Sequence, residues 1–385
     1  MGPLAGIKVV EIEGIGPGPF CGMMLADMGA DVILVQRKTI NPNAVANADG
    51  DALGKYAIHH RGKQSIALDL KHPAGVETLL RILETADALI EGFRPGVMER
   101  LGVGPDICLA RNPRLIYGRM TGWGQNGPLA HASGHDINYL GLSGALHYSG
   151  HDGEAPFSPA TLIGDVGGGG LMLAFGICAA VIHAQRTGEG QVIDTAITDG
   201  SAVMTALLYG VYHAGLLSDD RSESFFSGAA HWYDSYECAD GNYITVGSLE
   251  PNFYAEFLDK FGLADDADFD AQFDAFRWPE LKRRMKKLIK TRTRQQWCDD
   301  LEGTDVCFAP VLNFAEAPHH PHNKARKTFV DIDGVTQPAP APRFSRTPPE
   351  VSSPPPQKAA ETEAILGKNG FTEDEIAQLR TEGVV

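Results

Sequence analysis

A group of polar side chains occurs at residues 134–139, which read Gly-His-Asp-Ile-Asn-Tyr and are predicted to form a loop. Loops on a rigid scaffold often carry binding and catalytic residues. An adjacent histidine and aspartate, His135 and Asp136, can supply a general base and a carboxylate with a different task. The alternative is an Asx-type turn in which Asp136 is a capping residue. Taken alone, the hexapeptide leaves both interpretations open.

A second candidate is Asp165, which shortly precedes the four glycines of 167–170 and an apolar run. Glycines allow a ligand to approach the backbone, and N–H groups at the start of a helix can stabilise an oxyanion. A buried carboxylate beside such a place would have a raised pKa suited to proton transfer. The alternative is a first-turn carboxylate that is stabilised by the helix dipole.

Other titratable residues give weaker signals. Glu250 follows an apolar strand and precedes Pro251, so it is either a site carboxylate or an ordinary acid at a helix start. His319, His320 and His322 are clustered, but no acid is spaced with them as a metal site requires. The sequence therefore predicts no metal site.

Basic residues follow predicted strands or their turns in the first half of the chain. They are Arg37, Arg61, Lys63 and Arg94. An open α/β sheet binds anionic ligands near the carboxyl ends of its strands. Singly, each residue is expected to be solvated surface; together they are candidates for a phosphate groove.

The turn at 14–19 contains glycines at 14, 16 and 18 and prolines at 17 and 19. This is not the Gly-x-Gly-x-x-Gly spacing of dinucleotide-binding enzymes, and proline lacks the N–H donor that a pyrophosphate needs. The turn therefore argues against a nicotinamide-dependent dehydrogenase.

These candidates must be positioned by elements that alternate between strand and helix. The predicted strands are 6–12, 31–36, 65–70, 88–91 and 115–120, with helices at 20–28 and 74–85. Such alternation predicts a parallel sheet with crossover helices. The fold class is therefore α/β.

The predicted domain organisation has a large domain at 1–221, a small domain at 222–330 and a C-terminal segment at 331–385. The small domain contains a hairpin around Asp240-Gly241. The uncharged run 166–182 is shorter than a typical membrane-spanning helix, so we predict a helix of a soluble core.

Composition narrows the functional classes. Of the 385 residues, 33 are basic and 49 are acidic, which gives a net charge of −16 and argues against a protein that binds duplex DNA. The six cysteines form no Cys-x-x-Cys pair, which favours a reducing, cytoplasmic location. Neither nucleic acid nor a membrane is expected as a partner.

Longer motifs run in order from Leu4 to about Asn323. They include Val9-Val-Glu-Ile through Phe20, Ala67-Leu-Asp-Leu-Lys, Arg94-Pro-Gly-Val-Met-Glu, Gly134-His-Asp-Ile-Asn-Tyr, Gly188-Glu-Gly-Gln-Val-Ile-Asp and Glu250-Pro-Asn-Phe-Tyr. With these motifs the chain resembles the family III coenzyme A (CoA) transferase superfamily and, within it, the α-methylacyl-CoA racemases. The resemblance implies a large Rossmann-like CoA-binding domain, a smaller α+β domain and a homodimer of two interlocked chains.

The resemblance also implies roles for single residues. In the family's transferases the aspartate that matches Asp136 is the nucleophile, whereas racemases place a histidine before it, as His135 is here. Asp165 matches the second acid/base of the racemases, and Glu250 matches a glutamate that supports the histidine. This favours two-base proton transfer that interconverts (2R)- and (2S)-2-methylacyl-CoA thioesters through an enolate, with no cofactor beyond the substrate's own CoA.

Two other functions remain as alternatives. One is a CoA transferase that uses Asp136 as nucleophile, and the other is a non-catalytic acyl-CoA binding protein. The resemblance leaves open whether the acyl group is a fatty, a bile-acid-like or a steroid side chain.

For the CoA moiety the resemblance assigns residues from three segments, with Arg94 as a further candidate for the phosphates. They are Arg37; Ala67, Leu68, Asp69 and Leu70; and Gly134, Ile137, Asn138 and Tyr139. The chain departs from the family where Gln36-Arg37-Lys38 replaces a common Asp-Arg-Pro. A second departure places Trp232 where the family has a compact turn, which would reshape the pocket if this residue faces it.

Overall fold

The computed structural model describes residues 2–38 and 53–385. The chain forms two compact units. The first contains the residues through Ser143, Pro159–Met204 and Ala325–Val385, and the second contains Gly144–Ser158 and Thr205–Lys324. The sequence predicted domain boundaries at 221/222 and 330/331. It did not predict that Gly144–Ser158 belongs to the second unit.

A six-stranded parallel sheet forms the centre of the first unit. Its strands are β1 (Lys8–Ile12), β2 (Asp31–Arg37), β3 (Lys63–Leu68), β4 (Ala88–Glu91), β5 (Ile116–Thr121) and β6 (Gln191–Ala196). Their spatial order is β3-β2-β1-β4-β5-β6, the order of Rossmann-like sheets. The direction of the strand order reverses between β1 and β4, where such sheets leave a crevice for ligands. The predicted parallel sheet is confirmed.

Helices cover both faces of this sheet. They are α1 (Pro17–Asp27), α2 (Pro73–Leu83), α3 (Val97–Arg100), α4 (Pro105–Arg111), α5 (Asp136–Ser143), a π-helix (Leu162–Leu171) that continues as α6 (Met172–Thr187), and α7 (Ile197–Met204). The helix predicted at 20–28 begins earlier, at Pro17, because proline fits the first turn of a helix and Gly16 adopts a positive φ of 74° before it.

Neighbouring residues of β1 point into different apolar layers, as alternation along a strand requires. Val9 packs with Leu25, Leu173 and Ile177 on one face, and Val10 belongs to the layer on the other face. Both valines are fully buried. The layered core thus fixes the carboxyl ends of the central strands, from which the candidate site is built.

The apolar stretch Leu162–Thr187 is long and apolar enough to cross a membrane by length and composition, with a hydropathy of 1.8 over its most apolar window. In the structure 44% of that window is buried. Leu173, Ile177 and Val181 of α6 pack against the sheet. One face of α6 therefore belongs to the core of the first unit, and the opposite face is exposed.

The second unit combines a small antiparallel sheet with helices. Its elements are α8 (Ala206–His213), β7 (Tyr233–Glu237), β8 (Tyr243–Gly247), α9 (Pro251–Lys260), α10 (Trp278–Ile289), α11 (Arg294–Leu301), β9 (Phe308–Val311) and α12 (Pro321–Arg326), in the sheet order β7-β8-β9. The predicted hairpin around Asp240-Gly241 is present as β7 and β8. Its own core includes Trp232, Phe257 and Leu281.

The C-terminal segment belongs to the first unit. It contains the hairpin β10 (Phe329–Ile332) and β11 (Val335–Pro338) and two helices, α13 (Thr362–Lys368) and α14 (Glu373–Thr381). Thr372 and Glu375 form a capping box at the start of α14. Leu366, Leu379 and Val384 are buried in the same apolar layer as α2. Short 3₁₀ turns occur at Gly54–Tyr56, Ile58–His60, Arg221–Glu223, Phe225–Ser227, Ala267–Phe269 and Ala317–His319.

Candidate active site

A cavity of about 390 Å³ opens at the carboxyl ends of β1, β4 and β5. It is lined by the turn that follows each of these strands and by the loop before α5. Its lining includes Gly16, Arg94, Trp123, His135, Tyr139 and Asp165. Two titratable residues that the sequence suggested as catalytic, His135 and Asp165, therefore line one cavity.

His135 occupies the position just before α5. Its backbone N–H donates to the Asn138 side-chain oxygen at 3.0 Å, so the third residue of the helix fixes the loop. The His135 side chain is exposed toward the cavity, whereas Asp136, the first residue of α5, is buried. The two adjacent residues are thus placed in different surroundings.

Tyr139 holds the His135 loop in place by filling a slot between two glycines. A Cβ atom at Gly122 would overlap the Tyr139 ring, and one at Gly134 would lie 2.7 Å from it. The Tyr139 hydroxyl donates to the carbonyl of Gly134, and Trp123 packs edge-on at 4.7 Å between ring centroids. Both glycines are therefore needed for the close approach of this ring.

Asp165 lies in the first turn of the π-helix and is fixed through its backbone. Its N–H donates to Asp136 Oδ1 at 2.8 Å. A Cβ atom at Gly164 would overlap the same carboxylate, and one at Gly16 would lie 3.4 Å from Asp165 Oδ2. The glycine turn after β1 thus packs against a site carboxylate. This gives the turn a place in the cavity wall, as well as its role as a tight connection.

The pKa of Asp165 is raised to about 6, chiefly by partial burial and also by the charge of Asp136, while His135 acts to lower it. A carboxyl group with this pKa exchanges a proton readily near neutral pH. Asp136 bonds the Asp165 backbone and its charge acts on the Asp165 side chain, so it affects both position and acidity.

The start of α5 adds hydrogen-bond donors to the site. The first N–H groups of a helix have no partner within the helix, and the helix dipole favours negative charge there. Asp136 and Ile137 supply the first such groups, directly after His135. His135 lines the cavity, whereas Asp136 and Ile137 are not among its lining residues.

A second cavity of about 680 Å³ lies at the ends of β2 and β3. Arg37, Leu68, Asp69 and Leu70 line it, as the resemblance implies for CoA, together with Lys38 and Lys71. Ile12 and Phe93 line both this cavity and the one with His135. We call the two the nucleotide cavity and the catalytic cavity.

Some of the assigned residues lie outside both cavity linings. Ala67 is buried within β3, Ile137 is exposed, and Asn138 acts through its bond to the His135 backbone. Arg94 lines the catalytic cavity rather than the nucleotide cavity, and it donates to the Ser133 hydroxyl at 2.7 Å.

Glu250 belongs to the second unit and is exposed. It is the N-cap residue of α9, followed by Pro251 at the first helical position, although its side chain makes no capping hydrogen bond. The local structure thus matches the helix-start alternative that the sequence left open.

Two of the four basic residues proposed for a phosphate groove have a structural role instead. Lys63 is fully buried and pairs with Glu11 at 2.7 Å, and Arg61 pairs with Asp27 at 2.6 Å. The Arg61 guanidinium also donates to the carbonyl of Pro338 in β11. A buried charge needs such partners, so neither side chain is free for a ligand.

Trp232 and the histidine cluster belong to the second unit and are not among the lining residues of either cavity. Trp232 is fully buried in the core of the second unit, and its Nε1 donates to the carbonyl of Gln272 at 2.8 Å. It therefore lines neither of the two cavities. In the cluster, His320 pairs with Glu302 at 3.0 Å. Among the described residues, no group of three or more His, Cys, Asp or Glu is arranged to hold a metal ion.

Sequence reasoning missed several residues of the site. Trp123 and Phe93 line the cavities but were not singled out in the sequence, whereas Lys38 and Lys71 were named only within longer segments and not as site residues. Gly383 lines the nucleotide cavity although it is far from the other lining residues in sequence. A signal existed only for the residues after strands β2 to β5, where a parallel sheet places its ligands.

Comparison with known proteins agrees with this arrangement. The sequence model of the family described as "CoA-transferase family III" matches residues 4–362. The chain is 42% identical to α-methylacyl-CoA racemase of Mus musculus and 41% identical to that of Homo sapiens, in each case over 99% of this chain and 97% of the relative. It is 32% identical to succinate–glutarate CoA-transferase of Agrobacterium fabrum, over 86% of this chain and 85% of the relative.

Solved structures give the same picture. A CaiB/BaiF family protein from Brucella suis matches with a TM-score of 0.81 and 27% identity, covering 96% of this chain and 99% of that one. Together with the match along nearly the whole sequence, this shows that the chain belongs to CoA-transferase family III.

Proposed function

We propose that this protein is a racemase of 2-methylacyl-CoA thioesters. The observation that carries the proposal is the placement of His135 and Asp165 in one cavity, in a chain 41–42% identical to racemases of this kind over 99% of its length. The nucleotide cavity adjoins this place and has the basic residues that an anionic CoA moiety needs.

The chemistry follows from the thioester. A thioester acidifies its α-carbon, and inversion there needs removal of the proton from one face and delivery to the other. His135 and Asp165 are the two groups, and each is the base for one hand of the substrate and the acid for the other. The pKa of Asp165, raised to about 6, brings its acidity close to that of an imidazole, so both directions are accessible.

The intermediate is an enolate, whose oxygen must be stabilised. The N–H groups at the start of α5, from Asp136 and Ile137, are the donors we assign to it. Because these N–H groups belong to a fixed helix start, they need no reorganisation when the charge develops. The thioester itself supplies the required acidity, so we propose that the reaction needs no cofactor.

Asp136 decides between this reaction and CoA transfer. A transferase needs its carboxylate to attack the thioester, whereas here Asp136 is buried and Oδ1 already accepts from the Asp165 backbone. This favours a positioning role. The neighbouring His135 supports the same choice, since proton abstraction needs a base and transfer does not.

Glu250 is proposed as a positioning residue for His135. A carboxylate beside an imidazole fixes its orientation and favours its charged form. We propose that this contact forms in the assembled homodimer. Six free thiols agree with the proposed cytoplasmic location.

The homodimer is supported by an exposed apolar stripe on the first unit. Leu171 at the end of the π-helix and Phe175 and Ile182 of α6 recur at helical spacing and are exposed. Phe175 is 75% exposed, and Leu142 of α5 and Val203 of α7 are exposed as well. Exposed apolar side chains at helical spacing are typical of surfaces that pack against another subunit. We propose that a second copy of the chain covers it.

The test of the reaction is incubation with one enantiomer of a 2-methylacyl-CoA in deuterium oxide, without an acceptor acid. We expect deuterium at the α-carbon, seen by NMR, together with loss of optical activity. A transferase would show no exchange until a free carboxylic acid is added, and would then move CoA to that acid. A binding protein would do neither.

A further inference from the structure

Two buried ion pairs hold helix α1, one at each of its ends. At the first turn, Lys63 Nζ lies 2.7 Å from Glu11 Oε2, and it donates to Glu11 Oε1 at 2.9 Å and to the carbonyl of Pro19 at 3.0 Å. At the last residue of α1, Arg61 donates to the two oxygens of Asp27, at 3.0 Å and 2.6 Å. The two ends of one helix are therefore fixed by separate pairs.

The pair of Glu11 and Lys63 is part of the packing of α1. Both side chains are fully buried. A Cβ atom at Gly22 of α1 would overlap the Glu11 carboxylate and lie 3.1 Å from Lys63 Nζ, so the helix approaches the pair too closely for any other residue. Because a buried charge without its partner is costly, the pair fixes the start of α1 against β1 and β3.

The first turn of α1 also forms part of the wall of the catalytic cavity. Pro17, Gly18 and Pro19 line this cavity, as does Asp165. Lys63 therefore binds the backbone of a residue in the cavity wall, although Lys63 itself is not among the lining residues.

The same turn supports the π-helix that carries Asp165. A Cβ atom at Gly169 would lie 3.0 Å from the Pro17 Cβ atom, and one at Gly170 would lie 2.8 Å from the Pro17 carbonyl oxygen. Directly before this turn, a Cβ atom at Gly16 would lie 3.4 Å from Asp165 Oδ2. Since packing this close transmits a displacement to its neighbours, a shift of Pro17 moves the π-helix as well.

The pair at the other end of α1 contacts a different part of the molecule. Asp27 follows Pro17 by ten residues, which is about 15 Å along a helix. The Arg61 guanidinium also donates to the Gln337 side chain at 2.9 Å and to the carbonyl of Pro338 at 2.7 Å, both in β11. Neither Asp27 nor Arg61 is among the residues that line the catalytic cavity. This pair therefore anchors α1 to the C-terminal hairpin.

We propose that Glu11 and Lys63 are positioning residues for Asp165, acting through the first turn of α1 and the π-helix. The inference rests on the proposed function, because it takes Asp165 as one of two bases. His135 is held by other contacts, those of Asn138 and Tyr139 with the loop before α5. Loss of the pair should therefore affect the two enantiomers of the substrate unequally.

The test replaces each pair by apolar side chains of similar size, since a buried ion pair can often be replaced in this way without loss of folding. Glu11→Met combined with Lys63→Met removes the pair at the start of α1. Asp27→Leu combined with Arg61→Met is the matched control at its end. Circular dichroism and the free energy of unfolding show whether each double variant is folded and how stable it is.

The first readout is deuterium exchange at the α-carbon of each 2-methylacyl-CoA enantiomer, measured separately. The enantiomer whose proton Asp165 removes is identified with Asp165→Asn. In the Glu11/Lys63 double variant its exchange should be slower by about tenfold to a hundredfold, as a small misplacement of a catalytic group causes. Exchange of the other enantiomer and both KM values should stay near the wild type.

The control variant should show the wild-type ratio of the two exchange rates, whatever its stability. Equal slowing of both enantiomers in the Glu11/Lys63 double variant would show a merely structural role and would overturn the proposal. The same unequal slowing in the control variant would overturn it as well, because any loosening of α1 would then suffice.

Backbone hydrogen exchange, followed by mass spectrometry, separates this proposal from that of the reaction because it needs no substrate. The peptide that covers the π-helix, Leu162–Leu171, should exchange about tenfold faster in the Glu11/Lys63 double variant than in the wild type or the control, since its local opening then costs less. Equal rates in the three proteins would contradict the positioning role. A wild-type protein that does not racemise, with the faster exchange of this peptide in the variant, contradicts only the reaction.

Discussion

The two proposed bases differ in chemistry, and their variants should therefore fail in opposite ways. In Asp165→Asn, the base for one hand of the substrate is absent, so we expect racemisation to fall by about 10²- to 10⁴-fold. His135 can still remove the α-proton from the other enantiomer. That proton should exchange with deuterium oxide while the configuration at the α-carbon is retained. His135→Asn should show the reverse preference.

NMR of each enantiomer, measured separately for both variants, checks this prediction. CoA affinity, measured by calorimetry, should stay near the wild-type value and shows that the fold is intact. Exchange of both hands at the same rate in either variant would instead indicate a single base.

Asp136 should control the acidity of the site rather than react. Burial is the main cause of the raised pKa of Asp165, about 6, and the charge of Asp136 adds to it. Asp165 must be a carboxylate to act as the base for one hand of the substrate, so kcat/KM for that hand should fall as the pH falls below about 6, where Asp165 becomes protonated. Asp136→Asn keeps an oxygen that can accept from the Asp165 N–H, and it removes the negative charge. The acidic limb of the pH profile should then move to lower pH, with activity retained; complete loss of activity would support the nucleophile of a transferase.

At the residue scale, the sequence predicted which side chains could react better than it predicted which residues surround them. His135, Asp136 and Asp165 are reactive types next to glycines, and these local features are visible without a structure. Lys38 and Gly383 meet across 345 positions of sequence, and no local pattern reports such a contact. Arg61 and Lys63 were predicted to line a phosphate groove, but both form buried ion pairs. Local sequence does not report these pairs, because the partners lie on other elements.

At the element scale, the start of α5 depends on how closely Tyr139 approaches the backbone. Gly122→Ala would place a Cβ atom inside the Tyr139 ring, so the ring and the His135 loop must move. We expect the free energy of unfolding to fall by about 1–3 kcal/mol, as for an overpacked core, and kcat to fall with it. Gly367→Ala in α13 is the control, because nothing lies within 4 Å of its added Cβ atom and it should stabilise the helix by about 0.5–1 kcal/mol. Denaturant unfolding measures both changes. An unchanged free energy of unfolding in Gly122→Ala would contradict the close packing of the Tyr139 ring against this glycine.

The elements also show which patterns can be read from sequence. Strands β1 to β5 are buried runs bounded by turns, and their positions were predicted to within a few residues. Strand β6 was missed because the first residues of Gln191–Ala196 are exposed and do not form an apolar run. The π-helix at Leu162–Leu171 was predicted only as part of a helix, since glycines at 167–170 allow several helical geometries.

At the scale of the whole molecule, the division into two units follows burial rather than composition. Helix α7 buries Ile197 and Ser201 in the first unit, whereas α8, directly after it, buries no residue. The sequence of both helices is similarly apolar, so composition placed the transition later, where the charged residues begin. An apolar helix that buries nothing within one chain is a sign that another surface covers it.

The exposed stripe on α6 leads to the last prediction, which concerns assembly. Phe175→Asp places a charge at the centre of the proposed interface, where burial of an unpaired carboxylate is costly. We expect light scattering to give the mass of one chain for this variant and of two chains for the wild type. Phe276→Asp is the control, since Phe276 is also exposed, at 94%, but belongs to the second unit and is not part of the stripe. Because Glu250 is proposed to meet His135 only in the dimer, the Phe175→Asp chain should also lose racemisation while it still binds CoA. A monomer with full activity would show that one chain alone completes the site, and a dimer that persists would place the interface elsewhere.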